Sequence, residues 1–248
     1  MDKKYWENVA PRHNDEIFDV FANDRKGIIR SQIRKLAVKS HTAMDMGCAV
    51  GRWLPVLSKN FRKVVAVDIS ENYLQLARQK NKSLKNVEYI RAEIGNALLP
   101  ACDFILCINA VMAPPADKRH SFLTSVSECL RKKGHLVLVV PSLESALFAE
   151  AMLSYWHFKD ETTKELYKGD DAAEKLHNLK SGIFDLDSVP TKHYLKEEIK
   201  AILPHYGLSV MESKKIEYSW TTEFTAPPEW LKSPKPWDWM FVARKTKS

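Results

Sequence analysis

Five short apolar runs, separated by stretches with helical spacing, constrain this chain more than any other feature. The runs lie at 42–46, 63–68, 87–91, 103–108 and 135–140. The run 103–108, Asp103-Phe104-Ile105-Leu106-Cys107-Ile108, is apolar after its first residue, as expected of a strand covered on both faces. Helical segments are expected over Arg52–Lys59, Glu71–Lys80 and Asp117–Lys133. Pro55 sits in a first-turn position, Ser70 is an N-cap, and Gly134 provides a left-handed close. Strand and helix alternating in this way predict a parallel sheet with right-handed crossovers.

The rhythm changes at both ends. Residues 1–40 read as helical, with Phe18, Phe21, Ile28, Ile29, Ile33 and Leu36 near three- and four-residue spacing. After Pro141, residues 142–190 form a long excursion. It contains an amphipathic stretch, Ser145–Phe158, that ends in Tyr155-Trp156-His157-Phe158. An excursion of that length inside a compact domain is usually functional. A helix over Thr191–Tyr206 closed by Gly207, a strand over Leu208–Ser219, a proline-rich loop and a last strand over Trp237–Ala243 complete the reading.

No apolar run is long enough to span a bilayer, and the first residues turn polar at Glu7 and Asn8, so neither a membrane span nor a secretory leader is expected. Cys48, Cys102, Cys107 and Cys129 form no C-x-x-C pair. They read as reduced, buried thiols of a cytoplasmic protein, with no metal site. The net charge of +7 is spread along the chain, so a nucleic-acid partner is disfavoured, although the basic balance keeps it open.

The chemistry is carried by the turn after the first strand. Gly47 and Gly51 stand between strand and helix, where glycine allows a tight turn and a close approach of ligand to backbone. Asp68 ends the next strand, 17 residues after Gly51. A carboxylate there can accept both hydrogen bonds of a ribose diol. Ala49 occupies the second glycine position of a dinucleotide fingerprint, so pyrophosphate is not the expected ligand. Asp45, two residues before Gly47, suits a ligand with an ammonium group.

This stretch, Asp45-Met46-Gly47-Cys48-Ala49-Val50-Gly51, resembles the D-x-G-x-G-x-G region of class I methyltransferases. Asp68 matches the family's ribose ligand. Asn86–Glu93 resembles its third strand, Cys102–Asn109 its fourth, and Leu130–His135 its turn into the fifth. Tyr5-Trp6-Glu7-Asn8-Val9-Ala10-Pro11-Arg12-His13 resembles the Y-W-x-x-x-A-x-x-Y segment that folds over the cofactor, with His13 in place of the last tyrosine.

The resemblance implies an α/β, doubly wound, Rossmann-like sheet of seven mostly parallel strands. Helices lie on both faces, the last strand is antiparallel, and a helical insertion follows strand five. It implies one domain over 1–248, with 1–40 as an N-terminal helical cover and 142–190 as a cap over the acceptor. It further implies S-adenosylmethionine as donor, bound by Trp6, Asp45, Gly47, Cys48, Ala49, Gly51, Asp68, Ile69, Glu93, Ile94 and Cys107. A small-molecule acceptor is the first expectation. An RNA or protein acceptor, or a non-catalytic nucleoside-binding role, are the alternatives. His13, Asn109 and His157 are candidate catalytic side chains, although positioning alone can drive transfer from a sulfonium. The state is expected to be monomer or homodimer.

Overall fold

A computed structural model of the chain describes residues 3–10, 19–159, 181–186 and 189–246. Seven strands form one sheet in the order β3-β2-β1-β4-β5-β9-β8. They are β1 (Thr42–Met46), β2 (Lys63–Asp68), β3 (Val87–Arg91), β4 (Cys102–Ile108), β5 (Leu130–Pro141), β8 (Leu208–Glu217) and β9 (Trp237–Lys245). Strands β1 to β5 pair in parallel, and β9 runs antiparallel between β5 and β8. The seven-stranded sheet, its parallel pairing from β1 to β5 and its antiparallel last strand are those the sequence predicts.

Side-chain alternation along each strand builds two cores. Met44, Met46, Val65, Val67, Leu136 and Leu138 face one side, with Phe122, Leu123 and Val126 of the helix α6 (Ala116–Cys129) and Ile199 of α8 (Lys196–Ile202). Ala43, Val64, Ala66, Val137 and Val139 face the other. They meet Ile29 and Ile33 of α3 (Ile28–Leu36), Leu54 and Leu57 of α4 (Leu54–Asn60), and Leu74 and Ala77 of α5 (Glu71–Lys80). Period-two burial on both faces is what doubly covered parallel strands require.

Local chemistry sets the helix boundaries. Ser70 accepts from the Tyr73 N–H and starts α5. The Asp24 carboxylate, after the short helix α2 (Val20–Asn23), accepts from Ile28, Ile29 and Arg30 at the start of α3. The remaining α-helices among the described residues are α1 (Lys3–Val9) and α7 (Leu143–Lys159).

Three expectations are corrected. Helix α6 ends at Cys129 rather than Lys133, so Arg131 and Lys132 lie on β5, where Arg131 pairs with Asp103 at 3.0 Å. The left-handed residue there is Lys133 (φ 66°). Gly134 is required for space, because a Cβ would lie 2.8 Å from the carbonyl oxygens of Arg131 and Asp103. Helix α4 starts at Leu54, with Arg52 and Trp53 in the preceding turn.

The segment Thr191–Tyr206 is not one helix. Residues 189–192 form strand β7 (Val189–Lys192), paired with β6 (Ile183–Leu186) as a hairpin. Helix α8 follows, then a 3-10 turn, Leu203–Tyr206, closed by Gly207 at φ 70°. Cross-strand pairing outweighed helical spacing here. The excursion after β5 therefore carries a hairpin as well as α7. Its residues 160–180 lie outside those described. Among the described residues no helix is long and apolar enough to cross a membrane.

Candidate active site

The chain runs outward from β1 to β2 and β3, then returns to place β4 on the other flank of β1. That reversal opens a crevice at the carboxyl ends of β1 and β4, where doubly wound folds bind ligands. Gly47 and Cys48 both donate to the Val67 carbonyl, which folds the loop back over β2. Gly47 has φ 77°, and an added Cβ would lie 2.7 Å from the Cβ of Ala110 after β4. The glycine thus lets the two strand ends close together. Gly51, at φ 74°, serves packing: an added Cβ would strike Leu54 and Asn81 on the helix side. Ala49 takes the strained left-handed φ of 45° without being glycine.

Asp68 is buried and tied into this loop. Its Oδ2 accepts from Ala49 N at 2.9 Å and its Oδ1 from Ser70 N at 3.0 Å. Burial pushes its carboxyl up to about 6, against the opposing pull of these backbone donors. Asp45, also buried, is pushed up to about 7 by desolvation and then by the charge of Asp68. Its Oδ2 has no hydrogen-bond partner. A buried unsatisfied carboxylate oxygen is costly unless a ligand supplies a donor.

The other expected residues divide. Cys107 lies beside Met46 in the β1–β4 register, and its buried thiol is pushed up. Cys48 is buried too and pushed well above the usual thiol range. Ile69 is half-buried at the end of β2. Ile94 packs against the core on the α6 side. Glu93 is exposed and held below the usual carboxylate range by Asn96 and by Lys118, which pairs with it at 3.2 Å. An adenine contact would have to displace or share that pairing. Trp6, on α1, lies 6.4 Å from the Tyr73 ring and packs with Ala49, Val50 and Ala10, so α1 covers the glycine loop.

Of the catalytic candidates, His13 lies outside the described residues, as does the side chain of His157 on α7. Asn109 stands just beyond β4 in a left-handed conformation, φ 46°. Its Nδ2 donates to Asp238 Oδ2 at 3.1 Å, and its Oδ1 is buried without a partner. Asp238 is pushed up to about 7 by burial, while hydrogen bonds from Tyr218 and Asn109 work in the opposite direction. Asp238 and Tyr218 were not expected from the sequence, since the contact spans 129 residues.

Two rings near the end of α7 pack against the loop after β8. Tyr155 meets Trp230 at 5.7 Å and Trp156 meets Phe224 at 6.1 Å. Phe224 in turn stacks on Trp220 at 5.4 Å.

Residues 43–134 match the family model described as a methyltransferase domain. The matched segment runs from β1 to the start of β5. A demethylmenaquinone methyltransferase of Staphylococcus aureus (strain JH9) is 25% identical over 95 residues, which cover 36% of this chain and 39% of that protein. The chain thus aligns with about two-fifths of the length of the curated relatives it matches.

Among solved structures, N-methyltransferase NodS from Bradyrhizobium japonicum WM9 in complex with S-adenosyl-L-homocysteine has a TM-score of 0.62. It shares 13% identity, over 99% of this chain and 98% of that one. A 1,6-didemethyltoxoflavin-N1-methyltransferase from Burkholderia thailandensis, with that compound and S-adenosylhomocysteine bound, also scores 0.62. Its identity is 13%, over 99% of this chain and 87% of its own.

Proposed function

We propose that this chain is an S-adenosylmethionine-dependent methyltransferase acting on a small-molecule acceptor. The observation that carries the reading is Asp68, fastened by the Ala49 and Ser70 amides at the switch point of the sheet, beside the unpartnered Asp45 oxygen. The bound donor would supply an electrophilic methyl group on a sulfonium.

The residues present fit such a ligand. Asp68 would accept from the two ribose hydroxyls, and Asp45 would offer its free oxygen to an ammonium. Trp6 on α1 would cover the ligand from the side of the glycine loop, against which it packs. Cys107, Ile69 and Ile94 would furnish apolar walls. Asn109, with its unpartnered Oδ1 just beyond β4, would orient an acceptor. Orientation of this kind can supply roughly 7–11 kcal/mol of a transfer barrier.

A small acceptor is supported by α1, which packs on the glycine loop, and by the hairpin after β5, whose Lys192 N–H donates to the Met112 carbonyl beyond β4. The whole chain would then work as one domain.

Calorimetry with S-adenosylmethionine tests the donor half. The intact chain should bind, and Asp68→Ala should lose about 3 kcal/mol, on the order of a hundredfold, for two charge-assisted hydrogen bonds. No heat from the intact chain at millimolar ligand would sink the reading. Transfer of a labelled methyl group into a metabolite extract, with the product's mass, then identifies the acceptor.

A further inference from the structure

Glu7 of α1 is the most heavily engaged carboxylate at the mouth of the crevice, and the chemistry above does not use it. Its Oε2 accepts from Ser70 Oγ at 2.8 Å and Asn72 N at 3.1 Å, and its Oε1 from Glu71 N at 3.0 Å. Its backbone carbonyl accepts from Asn72 Nδ2 at 3.0 Å. These donors are the first turn of α5, where a carboxylate also meets the positive end of the helix dipole. The hydrogen bonds hold its carboxyl below the usual range, although burial opposes them.

Ser70 is fully buried and fully used. Its N–H goes to Asp68, its O–H goes to Glu7, and its Oγ accepts from Tyr73 N at 3.2 Å. One residue therefore joins the carboxylate of the cover helix to the carboxylate of the crevice. Asp68 in turn reaches the glycine loop through Ala49 N. The continuous path is Glu7, Ser70, Asp68, Ala49.

We propose that Glu7 is a positioning residue for the ribose-binding carboxylate, acting through Ser70 to hold Asp68 in the orientation that receives the sugar hydroxyls. The proposal rests on the functional reading of Asp68 given above. With Glu7 ionised, Ser70 Oγ is committed as donor outward, its N–H stays aimed at Asp68 Oδ1, and the carboxylate plane is set. With that anchor weakened, Ser70 can rotate its hydroxyl towards Asp68 and compete for the oxygen a ribose hydroxyl would use.

The test compares two ligands in two proteins. Binding of S-adenosylhomocysteine and of its 2′,3′-dideoxy analogue is measured for the intact chain and for Glu7→Gln. The substitution keeps shape and leaves the Asn72-to-carbonyl bond that seats α1. Glu7→Gln should bind S-adenosylhomocysteine about tenfold more weakly and the dideoxy analogue unchanged. Equal loss for both ligands would show only a loosened cover helix and would overturn the proposal, as would no loss for either.

Amide exchange of the ligand-free chain is the second arm and needs no donor binding. Glu7→Gln should speed exchange at Ser70 and at Ala49, whose N–H groups both end on Asp68. Unchanged exchange at Ala49 would break the path. If the intact chain binds neither ligand, the functional reading fails and the ribose role with it. The exchange result still decides whether Glu7 sets Asp68.

Discussion

At the scale of single residues, the loop shows which features a sequence exposes. Gly47, Gly51, Asp68 and the Ser70 cap were legible because their residue types stand at the ends of predicted strands and helices. Asp238 against Asn109, and Glu7 against Ser70, were not, since the partners lie 129 and 63 residues apart. Gly47 and Gly51 also look alike in the sequence and differ in the fold. One admits the end of β4, and the other admits α5 and Asn81. Gly47→Ala should be severe on two counts. The left-handed φ costs about 1–2 kcal/mol with a Cβ present. The clash with Ala110 adds about 1–3 kcal/mol of overpacking. Thermal unfolding should show Tm lower by on the order of 10 °C. A shift under 2 °C would mean the β1 and β4 ends can part freely.

At the scale of elements, the residue pattern located every strand of the main sheet, most plainly β1, β2, β4 and β5, where burial on both faces leaves near-continuous apolar runs. It failed at residues 189–192, where four residues of hairpin carry too little pattern to compete with an adjoining helical run. Helix α7 is a different case: Tyr155 and Trp156 near its end meet Trp230 and Phe224 of the loop after β8. Trp220, 3% exposed, packs with Ala149 and Leu231 and against Phe148 and Phe224, so the turn after β8 is pinned to α7. Its Nε1 donates to the Pro234 carbonyl at 3.0 Å. Trp220→Ala should cost about 3–5 kcal/mol. The measurement is urea unfolding by far-ultraviolet dichroism, and a loss below 1 kcal/mol would place the anchor elsewhere.

At the scale of the whole molecule, buried carboxyls make stability depend on pH in an unusual direction. Asp45 and Asp238 are pushed to about 7, and Asp68 to about 6, from an ordinary 3.8. Each holds its proton more tightly folded than unfolded. Their contribution is present at low pH and is lost as pH rises through the folded values. From pH 6.5 to 8 the ligand-free chain should lose on the order of 1 kcal/mol. Scans of Tm across that window should fall, and Asp238→Asn should flatten the fall. A Tm that rises towards pH 8 would remove this account. A cationic ligand at Asp45 would reverse the sign locally, because it stabilises the ionised form.

The four cysteines have a consequence of their own. All are buried and unpaired, and burial pushes each thiol above its usual range. A thiol that cannot ionise is a poor nucleophile. In the native state the sulfurs are chemically silent, and any oxidant or alkylating agent that reaches them does so through molecules that have opened. Susceptibility to oxidation is then set by how often the chain opens, so a change that stabilises the sheet also shields its sulfur.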